Sequence, residues 1–166
     1  MLSNFKNKKN KEPQREEKQF IVFNINDKSF GVDVKQIKQI IPSEESIPIP
    51  NSPEFIEGVI NLRGEIIPIV DMKRKLKFDI SNNEKNDEKI IIVELDKNNV
   101  GMRVDSVSEM TRLYTDEISE APNIVKGINK DYLMGLGKFK NSLLILLDLG
   151  RILSDEEVSI LDNIDI

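Results

Sequence analysis

The feature that most constrains how this chain can fold is an internal repeat. The segment Val22–Ile37 aligns without a gap with Ile92–Val107, and the segment Phe55–Leu76 aligns in the same way with Tyr132–Leu153. Two matched blocks that follow one another in the same order are typical of a duplicated structural unit. We therefore expect two halves that share one order of strands and turns.

Each half has the pattern of short strands joined by tight turns. A strand, a polar turn and a second strand come first, and the turn is Asn26–Lys28 in one copy and Asp96–Asn99 in the other. A short helical piece, a variable loop, a hairpin and a closing helical turn follow. About five short strands cannot bury both faces as an open sheet, so each half is predicted to curl into a small barrel. The expected fold class is mostly β, with two small five-stranded barrels and short helices.

Shifts in composition mark the expected domain boundaries. Residues 1–17 are basic and polar, and we expect them to form a disordered tail. The barrel-forming domain is expected over residues 18–154, with a polar loop between its halves near residues 79–89. Ser154 precedes apolar positions at helical spacing, which predicts a C-terminal helix over residues 155–166.

The composition excludes several classes of enzyme and ligand. The 166 residues contain neither His nor Cys, which removes zinc sites, cysteine nucleophiles and histidine-based triads. Carboxylate catalysis, lysine chemistry and oxygen-ligated metals remain possible. A net charge of −5 and an aromatic content of 5% argue against nucleic-acid binding. The apolar runs are too short to span a bilayer and no secretory h-region is present, so we expect a cytoplasmic protein.

Two aspartates are the candidates for carboxylate chemistry. Asp71 and Asp148 occupy the same position in the two copies, each after an apolar strand and before a helical turn. Aspartate is a common N-cap at such a position. A cap is needed in both copies of a repeat whereas an active site seldom is, so capping is the favoured interpretation.

A single arginine interrupts the apolar stretch "GVINLRGEIIPIVD", which is Gly58–Asp71. The turn Leu62–Glu65 has Gly64 in a position that needs a positive φ, so Arg63 lies at the tip of a hairpin. The second copy has Lys140-Asn141 at the same place, which indicates that the turn is architectural. Its basic residue is either a soluble choice for an exposed tip or a residue that faces the cleft between the two halves.

Four stretches carry a resemblance to a known family: "FGVDVKQIKQII", "IPNSPEFIEGVINLRGEIIPIVDMKRKL", "VGMRVDSVSEM" and "LLILLDLGRIL". Over roughly Phe20 to Leu153 the chain resembles the CheW adaptor proteins of bacterial chemotaxis. The resemblance implies two five-stranded SH3-like barrels, no catalytic activity and no cofactor or metal. It implies two partners, the regulatory domain of a CheA-type histidine kinase and the cytoplasmic tip of methyl-accepting chemoreceptors.

The resemblance also implies a set of partner-binding residues. Arg63, followed by Gly64, matches the arginine at the hairpin tip that takes part in coupling receptor to kinase. Three residues fall where the first barrel of the family is sensitive to change: Ile37, Ile40 and Gly58. Three others match a stretch of the second barrel near the groove thought to receive the receptor helix: Val104, Val107 and Met110. Core packing is the alternative role for each of the apolar residues.

One position departs from the family pattern. The family usually has a Glu just before the Ile matched by Ile40, close enough to pair with the tip arginine, and this chain has Gln39 there. Gln39 can accept a hydrogen bond from a guanidinium, without the charge-assisted component. Glu44 or Glu45 is a possible substitute.

The resemblance predicts a non-catalytic scaffold that couples chemoreceptors to the kinase. The alternative is a CheW-like adaptor in a receptor-kinase array that does not drive motility. We expect a monomer in isolation, with no membrane insertion of its own, recruited to membrane-associated arrays.

Overall fold

The computed structural model describes residues 15–79, 87–125 and 127–162. Within these ranges the chain is almost entirely β, with short helical turns and one two-turn helix. The strands are β1 (Glu17–Ile25), β2 (Lys28–Asp33), β3 (Ile37–Pro42), β4 (Ile56–Leu62), β5 (Glu65–Asp71), β6 (Lys89–Leu95), β7 (Asn98–Val104), β8 (Ser106–Tyr114), β9 (Ile124–Val125), β10 (Ile128–Asn129), β11 (Leu133–Phe139) and β12 (Ser142–Leu147), and the α-helices are α1 (Met72–Lys75) and α2 (Asp155–Asp162).

Two-residue turns close the main hairpins, and both residues of each turn have a positive φ. The pairs are Asn26-Asp27, Arg63-Gly64, Asp96-Lys97 and Lys140-Asn141. This backbone is the type I′ turn, whose twist matches that of the flanking strands. Asn, Asp and Gly adopt it at low cost, and each pair contains at least one of them. The sequence therefore specifies the hairpins locally.

The strands form two five-stranded sheets, which confirms the predicted fold class. One sheet has the order β11-β12-β2-β1-β8 and the other β3-β6-β7-β5-β4. We call the second the Arg63 barrel and the first the Lys140 barrel, after their hairpin tips. The expectation that each repeat closes its own barrel is wrong, because each sheet combines the first hairpin of one repeat with later strands of the other. Parallel pairing joins the repeats, with Ile69 beside Gly101 in one sheet and Leu146 beside Gly31 in the other.

An isolated β-bridge closes each barrel at the same place. Ile47, beyond the end of β3, pairs with Val59 on β4, and the amide nitrogens and carbonyl oxygens of the two residues lie 2.7 and 2.9 Å apart. Ser119, beyond β8, pairs in the same way with Leu136 on β11. The edge strands of each sheet are thereby brought together, which leaves fewer backbone groups unpaired.

Strands β1, β5, β6 and β12 are apolar on both faces because each of them lies between two hydrophobic cores. On β6, Ile90 and Ile92 point into the Arg63 barrel, whereas Ile91 and Val93 face a larger core that both barrels share. The Lys140 barrel has a small core of its own. Full burial of an aliphatic side chain contributes about 1.5–3 kcal/mol. Since the shared core is the largest of the three, the barrels are stabilised mainly by each other.

The C-terminal helix begins at the predicted cap. The amide of Glu157 donates to Ser154 Oγ at 3.1 Å, and the amide of Ser154 donates to Glu157 Oε1 at 2.9 Å, which makes a reciprocal capping box. Lys75 Nζ lies 2.6 Å from Glu157 Oε2 and ties helix α2 to helix α1. Burial acts to raise the pKa of Glu157, but the hydrogen bonds from Lys75 and Ser154 outweigh it and the pKa lies below its usual value. Residues 163–166 of the predicted helix lie outside the described residues.

The expected N-terminal tail lies mostly outside the described residues, which begin at Arg15. Glu17, the last residue of the expected tail, already belongs to β1 and pairs with Tyr114. Arg15 stacks over the ring of Tyr114 and donates to both carboxylate oxygens of Asp116 at 2.7 and 2.8 Å. No helix in the described part of the chain is long and apolar enough to cross a membrane.

A substitution at Gly58 tests how tightly the Arg63 barrel is closed. A Cβ at Gly58 would lie 2.7 Å from the carbonyl carbon of Ile47 and 2.9 Å from Ser46 Oγ. Because backbone cannot rotate aside, we expect Gly58→Ala to lower the free energy of unfolding by about 1–3 kcal/mol in urea titrations.

Gly64→Ala is the matched control. A Cβ there meets nothing within 4 Å, and only the φ of +86° opposes it, so we expect a loss of about 1 kcal/mol. An unfolding midpoint of Gly58→Ala equal to that of the unaltered chain would contradict the close approach.

Candidate functional site

The Arg63 tip is an exposed part of the predicted site. Arg63 and Gly64 have φ values of 52° and 86°, so the left-handed backbone predicted for the glycine extends to the arginine. The amide of Gly64 donates to Asn61 Oδ1 at 2.9 Å and fixes the turn. The side chain of Arg63 is exposed and forms no hydrogen bond or ion pair with any residue that the structure describes.

Polar neighbours of the same barrel are paired with one another. Lys38 Nζ lies 3.1 Å from Glu94 Oε2 and 3.0 Å from Asn99 Oδ1. Asn99 Nδ2 in turn donates to Glu65 Oε1 at 2.6 Å. This network links β3, β6, β7 and β5. The carboxylates of Glu65 and Glu94 therefore already have partners.

Three predicted residues lie on β3, an edge strand of the Arg63 barrel. Ile37 and Ile40 are partly buried and pack against the shared core. A bulge between Ile37 and Gln39 shifts the register of the strand against β6. Ile37 and Ile40 thus combine core packing with partial exposure, as a binding surface on an edge strand requires.

The predicted pairing of Gln39 with Arg63 does not occur in the described structure. Neither residue forms a side-chain hydrogen bond there. Glu44 and Glu45, the possible substitutes, line a separate cleft around Arg103. The expected internal partner of Arg63 is therefore not found among these three side chains.

The three residues assigned to the second barrel belong to two different barrels. Val104 is on β7, is 2% exposed and lies in the shared core, so it is part of the Arg63 barrel. Val107 and Met110 are on β8 of the Lys140 barrel, where Val107 packs against the shared core and Met110 is 45% exposed. Of the three, Met110 is the most accessible to a partner.

Gly58 lies on β4, next to the bridge that closes the Arg63 barrel. Its close approach to Ile47 gives a structural reason for a glycine at this position. Ile47 itself is 66% exposed, the largest value among the large hydrophobic side chains of the described residues. Gly58 therefore positions an exposed apolar residue that sequence reasoning missed.

The equivalent hairpin of the other barrel has the Lys140 tip, whose basic residue forms an ion pair. Lys140 and Asn141 repeat the two positive φ values. Lys140 Nζ lies 2.8 Å from Glu109 Oε1 on the neighbouring strand β8. The basic residue at this tip is thus paired within the chain.

An ion-pair cluster around Arg103 is a second site that sequence reasoning missed. The guanidinium contacts the carboxylates of Glu57 and Glu88 and donates to Ser43 Oγ and to the carbonyl oxygen of Glu44, both at 2.7 Å. The cluster lines a cleft of about 610 Å³. Burial raises the pKa of Glu57, and the hydrogen bond and charge of Arg103 offset only part of that effect.

The repeat contained a signal for this cluster. Asp33 aligns with Arg103, and Met134 aligns with Glu57. The Arg–Glu pair therefore occurs in one copy only, and the other copy has the opposite charge at the position of Arg103, so the shared fold does not require the pair.

The two candidate catalytic aspartates both accept hydrogen bonds from local backbone amides. Asp71 Oδ1 accepts hydrogen bonds from the amides of Lys73 and Arg74 at 3.0 and 3.4 Å. Asp148 Oδ1 accepts from the amide of Gly150 at 2.9 Å and from Gln36 Nε2 at 2.7 Å. The capping interpretation is confirmed for Asp71, which caps helix α1. Asp148 accepts a similar local hydrogen bond, but the residues after it form a turn and not a helix, so the helical turn expected there is absent from the described structure. Within the described ranges no group of three or more carboxylates is placed to hold a metal ion.

Taken together, the geometry is that of a double-barrel β domain with exposed hairpin tips and several exposed aliphatic side chains. A family model described as "CheW-like domain" matches residues 19–157. The chain belongs to the CheW-like domain family.

Relatives and a solved structure agree with this assignment. Chemotaxis protein CheW of Klebsiella aerogenes is 33% identical over 146 residues, which cover 88% of this chain and 87% of that protein. Chemotaxis protein CheW of Treponema pallidum is 27% identical, with 90% and 89% covered. The crystal structure of the scaffolding protein TtCheW from Thermoanaerobacter tengcongensis matches with a TM-score of 0.77 and 29% identity, over 86% of this chain and 92% of that one.

The raised pKa of Glu57 predicts a pH dependence of stability. A carboxyl with a raised folded pKa binds more protons in the folded state, so its contribution is largest at low pH and is lost as pH rises above the ordinary value of 4.5. We expect the free energy of unfolding of the unaltered chain, relative to Glu57→Gln, to fall as pH rises through this window. Urea unfolding of both proteins from about pH 4 to about pH 7 measures it; a constant or rising difference would contradict the prediction.

Proposed function

We propose that this protein is a non-catalytic scaffold that couples chemoreceptors to a CheA-type histidine kinase in bacterial chemotaxis arrays. Membership of the CheW-like family supports the role, as do the relatives named as chemotaxis proteins and the neighbour described as a scaffolding protein. The observation that carries the proposal for this chain is the exposed Arg63 tip, where a permanent charge has no partner among the described residues.

The proposed partners are the regulatory domain of the kinase and the cytoplasmic tip of the receptors. Ile37, Ile40 and Arg63 are the proposed contacts on the Arg63 barrel, with Gln39 and Gly64 beside them. Val107 and Met110 on β8 are proposed to line the surface that receives a receptor helix. The partial exposure of these aliphatic residues supports this, because a helix docks through an apolar strip with few charges.

The proposed role requires no catalytic group. The chain lacks His and Cys, and the paired aspartates Asp71 and Asp148 accept hydrogen bonds from local backbone amides. We propose that the protein works in the cytoplasm at membrane-associated arrays and is a monomer when isolated, which light scattering measures directly. A CheW-like adaptor in an array outside motility remains the second candidate, since the same surfaces would serve it.

Calorimetric titration against the two proposed partners tests the function. We expect saturable binding to the kinase regulatory domain or to a receptor-tip fragment, and weaker binding by Arg63→Ala to at least one of them. Arg63→Ala should unfold within about 0.5 kcal/mol of the unaltered chain, because an exposed side chain contributes little to stability.

Lys140→Ala is the matched control for this experiment. It removes a tip cation from the equivalent turn of the other barrel, where the charge is already paired. We expect it to leave binding at the Arg63 tip unchanged. Absence of binding by the unaltered chain to both partners would refute the proposed function.

A further inference from the structure

Each barrel has the same pair of positions, one on an edge strand and one at a hairpin tip. Strand register establishes the equivalence: Ile40 pairs with Ile91 in the Arg63 barrel, as Met110 pairs with Ile21 in the Lys140 barrel. The hairpins match as well, with Leu62 opposite Glu65 and Phe139 opposite Ser142. Gln39 and Arg63 therefore correspond to Glu109 and Lys140.

In the Lys140 barrel the two positions form an ion pair. Glu109 reaches from β8 to the tip, and its Oε1 lies 2.8 Å from Lys140 Nζ. The backbone arrangement thus brings a side chain at this strand position within reach of the tip cation.

In the Arg63 barrel the pair is incomplete. Gln39 carries no charge, and Arg63 has no ion-pair partner in the described part of the chain. Two carboxylates of the same barrel have other partners, since Glu65 accepts a hydrogen bond from Asn99 and Glu94 pairs with Lys38. The cation at this tip is therefore not neutralised, whereas its counterpart is.

We infer that Arg63 binds a carboxylate supplied by a docked protein, in the place that Glu109 occupies beside Lys140. The inference rests on the proposed function, since it requires that a partner covers the Arg63 tip. Covering a guanidinium removes it from water, which is costly unless an anion replaces the lost hydration. A partner carboxylate can do so with a charge-assisted, bidentate hydrogen bond.

The internal half of the inference can be tested without a partner. Gln39→Glu should create the ion pair that Glu109 and Lys140 already form. Carboxyl NMR is expected to show that the new group at position 39 titrates at lower pH in Gln39→Glu than in the double variant Gln39→Glu/Arg63→Ala. Equal titration in the two proteins would overturn the proposed geometry.

The partner half is tested by calorimetry with the kinase regulatory domain and the receptor-tip fragment as probes. Arg63→Ala is expected to lower the affinity for one of the two probes by about tenfold, which is the effect of losing one charge-assisted hydrogen bond. Gln39→Glu should weaken the same probe severalfold, because an internal carboxylate competes for the guanidinium. Both variants should also flatten the salt dependence of binding.

Matched variants separate charge from shape. Gln39→Met changes the shape of position 39 without adding a charge and should weaken binding less than Gln39→Glu does, and Glu109→Gln should not change binding at the Arg63 tip. Suppose that the unaltered chain binds both probes and that either Gln39→Glu or Arg63→Ala binds them just as tightly. That result would overturn this inference and leave the proposed function standing. Failure of the unaltered chain to bind either probe would instead refute the proposed function, and this inference with it.

Discussion

The pairing of strands from different repeats is the constraint on which the rest of this structure depends. The parallel contacts between β5 and β7 and between β12 and β2 join hairpins that are distant in sequence. Neither repeat can complete a barrel alone, and strands such as β6 and β12 are apolar on both faces because each lies between two cores. The hairpin tips are therefore held in a fixed relation by the same core that stabilises the fold.

Because the two repeats share one fold, residues at equivalent positions of the two barrels can be compared directly. Positions that agree, such as the paired left-handed residues at the turns and the aspartates Asp71 and Asp148, are those that the architecture needs. Positions that differ are not required by the fold. Gln39 against Glu109 and Arg103 against Asp33 are two such differences, and both change the charge of an accessible surface. The two barrels therefore differ in charge at these positions.

Much of the fold could be predicted from sequence because its signals are local. Turn residues such as Asn26 and Gly64 specify the hairpins, and Ser154 specifies the start of a helix. Runs of aliphatic residues indicate which segments form buried strands. The exchange of strands between repeats could not be predicted, because equivalent hairpins carry equivalent patterns and would satisfy either partner. The Arg103 cluster was missed because Glu57 and Glu88 are distant in sequence and only the folded chain brings them to one cation. The tip of Arg63 was recognised, but its lack of an internal partner required the comparison with Lys140.

The distribution of strands also bears on how the chain folds as it is synthesised. The Arg63 barrel consists of the consecutive strands β3 to β7, so its sheet is complete once Val104 has been made. The Lys140 barrel needs β1 and β2 from one end of the described chain and β11 and β12 from the other. Its N-terminal hairpin can pair with β8 and pack on the shared core earlier, but Phe20 and Val22 remain uncovered until β12 has been made. Contacts of such sequence separation form slowly and leave edges open to aggregation. The middle barrel is thus suited to act as the template on which the two ends of the chain meet.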